Sequence, residues 1–311
     1  MGMQIFNRTT KYARNLTSLA KYQSRKRRAL MYMPGDDLKK ITKASSLDLD
    51  LAVLDLEDAV AITSKSTARN VICEALNNLE FGRTETGVRV NSVSSGLLED
   101  DLCCILTNKT QPDIYMIPKV DTPEECVLIN DVISQTSYKP IPIIFQTESA
   151  IGLINLHKII KTLYASTHII PVAIVFGADD YVSDINGIRD DINAVMYARQ
   201  KIVTYARAYN LQPIDRVHIE FKNLQSLQLE SSQGFSFGFA GKQCIHPLQI
   251  PVIQAAFTPS LTQLEHAREL IKCFNENQDA GIGAFTFRGK MIDRPTLLQA
   301  KNTVDMFKDC S

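Results

Sequence analysis

Between residues 29 and 257 the chain alternates short apolar runs with longer amphipathic stretches, and that rhythm leaves few folds open. Strands are expected over 29–33, 51–55, 87–91, 114–117, 141–145, 172–176 and 217–221, with a weaker one over 237–240. Helices are expected over 36–47, 64–79, 96–108, 122–135, 150–164 and 189–209, with another opened by Pro247. Runs such as Ile141-Pro-Ile-Ile-Phe145 and Val172-Ala-Ile-Val-Phe176 are β-branched and aromatic with no polar alternation, so they read as parallel strands buried on both faces. Eight β/α units in about 230 residues match the size of a (β/α)8 TIM barrel, placing the chain in the α/β class. The eighth strand is the weakest of the series, because residues 234–239 also read as an irregular loop. A doubly wound open sheet competes, but it should carry a Gly-rich first turn. The first turn here, Met33-Pro-Gly-Asp-Asp37, holds one glycine.

The pattern changes beyond the barrel, taken as residues 29–257. A helix with Ser260 as its cap runs to about residue 277, a Gly-rich stretch covers 281–293, and a last helix starts at Pro295, where proline suits the first turn. Residues 258–311 are too few for a substantial core of their own, so they are expected to form a small lid or oligomerisation extension.

Charge separates the two ends of the chain. Residues 1–35 contain eight Lys or Arg and no acid, whereas residues 36–311 hold 26 basic against 34 acidic side chains. The acidic body argues against a nucleic-acid surface. The basic, hydroxyl-bearing start reads as a mitochondrial transit peptide over residues 1–28, implying a matrix location. No apolar run approaches the roughly 20 residues of a membrane span, so no membrane partner is expected. The seven cysteines (73, 103, 104, 126, 244, 273 and 310) show no Cys-x-x-Cys spacing and read as reduced thiols.

Two acids stand just past strands. Glu148 follows the fifth and Asp180 the sixth, where side chains at the carboxyl ends of barrel strands converge. Two carboxylates there make half a site for a hard cation such as Mg²⁺, which keeps positions for water and substrate oxygens. Each acid has a plainer reading: Glu148 as the cap of the next helix, Asp180 as a strand terminator.

Several motifs then add up to a resemblance. Arg28-Ala-Leu-Met-Tyr-Met-Pro-Gly35, Leu54-Asp-Leu-Glu-Asp-Ala-Val60, Val88-Arg-Val-Asn-Ser92, Met116-Ile-Pro-Lys119, Gly241-Lys-Gln-Cys-Ile-His-Pro247 and Met291-Ile-Asp293 resemble, in order, the citrate lyase β subunit family. That group includes malyl-CoA and citramalyl-CoA lyases and lies within the HpcH/HpaI aldolases. The resemblance implies a Mg²⁺-dependent homotrimeric barrel that cleaves citramalyl-CoA to acetyl-CoA and pyruvate. It also implies Glu148 and Asp180 as metal ligands, Arg89 as a catalytic and substrate contact, and Asp293 as the catalytic acid–base reaching a neighbouring subunit's site. Tyr32, Lys39, Lys43, Asp179, Ile245 and His246 fall where substrate or CoA contacts are expected. The family often has Gly-Glu-Asp at the metal aspartate; here the run is Gly177-Ala-Asp-Asp180.

The chemistry is coherent without the family. Breaking a C–C bond beside a thioester generates an enolate, while the departing 2-oxo acid needs its carbonyl polarised, which a chelated divalent ion supplies. Arg89 has the planar fork for a carboxylate or an enolate oxygen, and Asp293 can move the carbon-bound proton. Burial under the C-terminal piece is expected to raise the Asp293 pKa. The plainer reading of Asp293 is a local turn or cap near Pro295. Lys39 and Lys43 also read as solvated charges, and His246 as a polar turn residue. Glu57 and Asp58 sit near enough to orient water, but equally suit pairing with Arg89.

Three functions stay in play. One is the lyase. A second is a malate-synthase-like transferase that joins acetyl-CoA to glyoxylate and hydrolyses the thioester, since one methyl in a pocket discriminates by only about 10 to 200-fold. The third is a non-catalytic CoA-binding scaffold, which would need none of the four chemical residues.

Overall fold

The structure is a computed structural model and describes residues 22, 24–189, 191–279 and 285–308. Most of the expected leader (residues 1–21 and 23), together with residues 281–284 of the Gly-rich stretch, lies outside the described residues.

Eight parallel strands close into a barrel in sequence order: β1 (Ala29–Pro34), β2 (Leu51–Asp55), β3 (Glu85–Arg89), β4 (Ile114–Ile117), β5 (Ile141–Thr147), β6 (Ile169–Phe176), β7 (Gln212–Asp215) and β8 (Gly241–Cys244), with β8 paired back to β1. Helices α1 (Leu38–Ala44), α2 (Lys65–Asn78), α3 (Leu98–Leu106), α4 (Pro123–Thr136) and α5 (Ala150–Ala165) follow the first five strands. After β6 come two helices, α6 (Ala178–Asp184) and α7 (Ile192–Ala208), and after β7 comes α8 (Leu224–Phe237). Among the described residues no helix is long and apolar enough to cross a membrane.

The local causes are visible in the residues. Strands β2 and β5 are buried along their whole length, as their continuous apolar runs require. Helix α4 opens with a capping box, Thr122 accepting from Glu125 N while Glu125 accepts from Thr122 N, and Pro123 takes the first turn. Leu30, Leu51, Val53, Ile114, Met116, Ile144, Val175 and Ile214 are among the residues of one core cluster, with Tyr32 packed against it. At the amino-terminal end, buried Arg27 bonds both oxygens of Glu85, at 2.5 and 2.8 Å, and Gln212 Oε1 at 2.8 Å, tying the start of β3 to that of β7.

The last two strands differ from expectation. Residues 217–221 form no strand, and β7 lies earlier, at Gln212–Asp215. Residues 237–240 hold the end of α8 and its left-handed Gly238 cap, with β8 just after. Both strands are short and carry charge toward the helix layer. Asp215 makes a bidentate pair with Arg199 of α7 at 3.1 and 2.6 Å, and Lys242 Nζ donates to Glu230 of α8 at 2.5 Å.

Glu230 also accepts from Arg216 Nε at 3.1 Å and lies 3.0 Å from His218 Nδ1. Burial alone would raise its carboxyl, but Lys242 and Arg216 outweigh burial and hold it at about 2. A folded pKa below the ordinary value contributes stability above about pH 4.5, and that contribution disappears as pH falls through about 2. Glu230→Gln is therefore expected to cost about 3 kcal/mol at neutral pH, since it strands buried Lys242. The penalty should shrink between pH 4.5 and 2; a Tm–pH series of both proteins checks this.

The chain divides into two compact units, Met1–Ile253 and Gln254–Ser311. Short helix α9 (Ile250–Ala256) spans the division. The second unit contains α10 (Leu261–Asp279), capped by Ser260, an antiparallel pair β9 (Phe285–Phe287) and β10 (Lys290–Ile292), and α11 (Arg294–Lys308). Ala267, Leu270, Phe274, Ile292, Leu297 and Ala300 form its core.

Candidate active site

Parallel register carries the strand ends to one mouth. Asp55 pairs with Arg89 across β2 and β3, Arg89 with Met116 across β3 and β4, and Thr147 with Phe176 across β5 and β6.

Glu148 follows β5 and is buried. It does not cap the next helix, because Ser149 does so by accepting from Gly152 N at 2.9 Å. Its Oε1 accepts from Gln146 Nε2 at 2.5 Å, whereas Oε2 is buried with no hydrogen-bond partner, as is Gln146 Oε1. Burial first, then the charges of Glu57 and Asp180, push the Glu148 carboxyl well above its ordinary range. Arg89 and Lys119 pull the other way without overcoming burial, so a carboxylate placed here favours a bound cation.

Asp180 does not terminate β6. It lies in the first turn of α6, exposed, two residues past Ala178. Between strand and helix sits Gly177, and a β-carbon there would overlap Glu148, meeting its Cδ at 2.7 Å. Gly177→Ala must drive Glu148 from its place, so it is expected to destabilise the fold by about 1–3 kcal/mol and to abolish any thermal stabilisation by Mg²⁺. Thermal melts with and without the ion check both.

Arg89 is the hub of the mouth. Its Nε and one terminal nitrogen grip the two oxygens of Asp55 at 2.7 and 2.6 Å. The other terminal nitrogen lies 2.9 Å from Glu57 Oε2 and 3.5 Å from Asp58. The fork is therefore turned onto Asp55, and one edge remains toward the loop after β2. The guanidinium packs over the Tyr32 ring at 4.6 Å, and the Tyr32 hydroxyl donates to Gln243 Oε1 at 2.9 Å. Gln243 is fixed in turn by donating to the carbonyls of Phe176 and Asp215.

Asp55, Lys119 and Gln243 are not among the residues the sequence singles out for the site, whereas Glu57 and Asp58 take the second of their two expected places, paired with Arg89. Asp55 also accepts from Glu57 N at 2.9 Å and Ala59 N at 3.0 Å, so one carboxylate shapes the loop that carries Glu57. Lys119, at the end of β4, holds a left-handed backbone (φ 50°) and donates to Glu57 Oε1 at 2.8 Å. Burial pushes Glu57 up to about 7 against the opposing pull of Arg89 and Lys119. Only the repeated acids of Leu54-Asp-Leu-Glu-Asp58 hinted at this cluster.

The remaining candidates are spread more widely. Lys39 and Lys43 are exposed on α1. Asp179 pairs with Arg189 at 2.6 Å. Ile245 is exposed; His246 caps the short turn of helix at Pro247–Gln249 and stacks on Phe221 at 4.7 Å. In the second unit, exposed Asp293 caps α11, its Oδ1 accepting from Thr296 N at 3.1 Å and Thr296 Oγ1 at 2.8 Å. Those bonds hold its carboxyl below the usual range, opposite to the rise expected from sequence. The expected rise relied on burial, and here the side chain faces solvent.

The donor set suits a hard cation: a buried unpartnered carboxylate oxygen of Glu148 and a second acid, Asp180, close enough to act on it. Among the described residues no group of three or more His, Cys, Asp or Glu is arranged to hold a metal ion. Two acids with positions left for water or substrate is the arrangement magnesium tolerates best.

Known proteins are similar to this chain in sequence and in fold. The chain is 44% identical over 289 residues to the human mitochondrial citramalyl-CoA lyase, covering 90% of this chain and 85% of that protein. It is 29% identical over 284 residues to a (3S)-malyl-CoA thioesterase of Cereibacter sphaeroides, covering 91% and 95%. The crystal structure of CitE from Mycobacterium tuberculosis, in complex with magnesium, acetoacetate and coenzyme A, superposes with a TM-score of 0.73 at 26% identity over 91% of this chain and 98% of that one. Residues 28–247 match the HpcH/HpaI aldolase/citrate lyase family, and the chain belongs to that family.

Proposed function

We infer that this chain is a magnesium-dependent carbon–carbon lyase of the mitochondrion that cleaves citramalyl-CoA to acetyl-CoA and pyruvate. The observation that carries this reading is the 44% identity, across nine-tenths of the chain, to a mitochondrial citramalyl-CoA lyase. In cleavage the tertiary hydroxyl loses its proton, the adjacent C–C bond breaks to leave the ketone of pyruvate, and the acetyl-CoA enolate takes a proton at carbon.

Glu148 and Asp180 would hold the ion. When bound, magnesium supplies a Lewis acid that polarises the keto acid and a template that orients it. Arg89 would turn the terminal nitrogen that now lies 2.9 Å from Glu57 onto a carboxylate or an enolate oxygen of the substrate, a charge-assisted contact in a desolvated mouth. Tyr32 supports the guanidinium from below. Lys39, Lys43, Asp179, Ile245 and His246 are assigned to the rim that takes the CoA ester. Asp293 is assigned the proton at carbon, delivered in a homotrimer to the neighbouring subunit's site.

The test uses chain lacking residues 1–27. Acetyl-CoA and pyruvate should appear at equal rates from citramalyl-CoA with Mg²⁺ and stop on chelation. Binding of CoA esters without turnover would leave only the scaffold reading. A second activity, condensation with glyoxylate followed by thioester hydrolysis, is favoured by the similarity to a malyl-CoA thioesterase. Release of free CoA thiol from acetyl-CoA plus glyoxylate would establish it.

A further inference from the structure

Helices α2 and α3 meet along a ladder of side-chain pairs. Arg69 Nε donates to Asp101 Oδ1 at 2.6 Å, Cys73 Sγ lies 3.7 Å from Cys104 Sγ, and Asn77 Nδ2 donates to Asn108 Oδ1 at 3.0 Å. Positions 69, 73 and 77 are four apart, so the three rungs occupy one face of α2. A rung of hydrogen bonds on either side fixes the helix register and holds the two sulfurs opposite each other. Both thiols are partly exposed and the adjacent Cys103 is exposed, whereas Cys126 and Cys244 are buried.

We propose that Cys73 and Cys104 form a thiol-oxidation site which a hydroperoxide closes to an intramolecular disulfide, stapling α2 to α3. One thiol gives its sulfur to the peroxide, forming a sulfenic acid and releasing water or alcohol as the O–O bond breaks. The second sulfur attacks the first, and the sulfenic oxygen leaves as water with the remaining thiol proton. The peroxide is reduced by two electrons and the thiol pair oxidised by two.

Closing the gap from 3.7 Å to a bond of about 2.04 Å is within reach of small χ1 rotations. Burial, followed by the facing Cys104, pushes the Cys73 thiol up to about 12, which keeps it protonated at neutral pH, so closure of the pair should quicken as the pH is raised. The staple would clamp the helix pair beside Asp101, whose Oδ2 accepts from Asn91 N at 2.8 Å and Asn91 Nδ2 at 2.6 Å just past Arg89.

The experiment treats the folded full chain with hydrogen peroxide, then alkylates in denaturant and maps the peptides. Two of the seven thiols should be lost, with one Cys73–Cys104 cross-linked peptide, a Tm rise of about 5 °C or more, and reversal by dithiothreitol. C103S should keep the cross-link, while C73S and C104S should lose both it and the Tm rise. Recovery of Cys73 and Cys104 as alkylated thiols in the wild-type map, or a cross-link running through Cys103, would overturn the proposal without reference to any variant.

Discussion

Asp293→Asn is expected to leave fold and magnesium binding intact while lowering turnover about a thousandfold or more, the upper range for removing a general acid–base. The substitution is clean because of how Asp293 is built into α11. Thr296 N and Oγ1 both donate to Oδ1. Asparagine keeps an oxygen acceptor and caps a helix about as well as aspartate, so the second unit should melt as before. Only the titratable proton is lost. The free carboxyl is held below its usual range, so in the resting chain it is a base, ready for the condensation direction. The role proposed for it in cleavage is that of an acid, which requires burial against the bound thioester to raise it. Turnover of citramalyl-CoA, set beside a thermal melt, checks the prediction; near-normal turnover would remove Asp293 from the reaction.

Glu148→Gln should separate stability from function. The amide oxygen it introduces would still accept from Gln146, but the side chain would carry no charge into a buried place where Glu57 and Asp180 already repel one. Without metal the variant is expected to gain about 1–3 kcal/mol, as neutralising a strained site residue often does. It should lose the response to magnesium. Wild-type chain gains about 2.7 kcal/mol when the free ion is a hundredfold above its dissociation constant, and the variant should gain none. Turnover should fall roughly a thousandfold with the loss of the Lewis acid. Melts of both proteins across a magnesium series, with a cleavage assay, measure all three effects. A variant that is less stable without metal and still responds to it would mean that Glu148 serves packing.

Much of the barrel was legible because five of its first six strands are mainly apolar runs; β3, Glu85–Arg89, is the exception and starts two residues before the expected 87–91. Leu51–Asp55 and Ile114–Ile117 lie where the pattern puts them. β7 and β8 were hidden because their outward residues are ionic. Asp215 and Lys242 are buried against Arg199 and Glu230, so neither strand leaves an apolar run. The more hydrophobic stretches nearby belong instead to a loop and to the end of α8.

The site divides along the same line. Glu148, Asp180 and Arg89 could be found from their places past or at strand ends, a relation local in sequence. Asp55, Lys119 and Gln243 act through partners 34, 62 and 211 residues away, and nothing local in the sequence announces such pairs. The exposed carboxyl of Asp293 is the converse case: its cap was legible from Pro295, and its pKa depends on what covers it.

Anomalous diffraction from a crystal soaked in manganese and pyruvate tests the central claim most directly, since Mn²⁺ takes the same oxygen ligands as magnesium. The account predicts one peak at the barrel mouth, bound by Glu148 and Asp180 and by oxygens of the keto acid. A peak elsewhere, or pyruvate in the mouth with no ion between those two carboxylates, would contradict it.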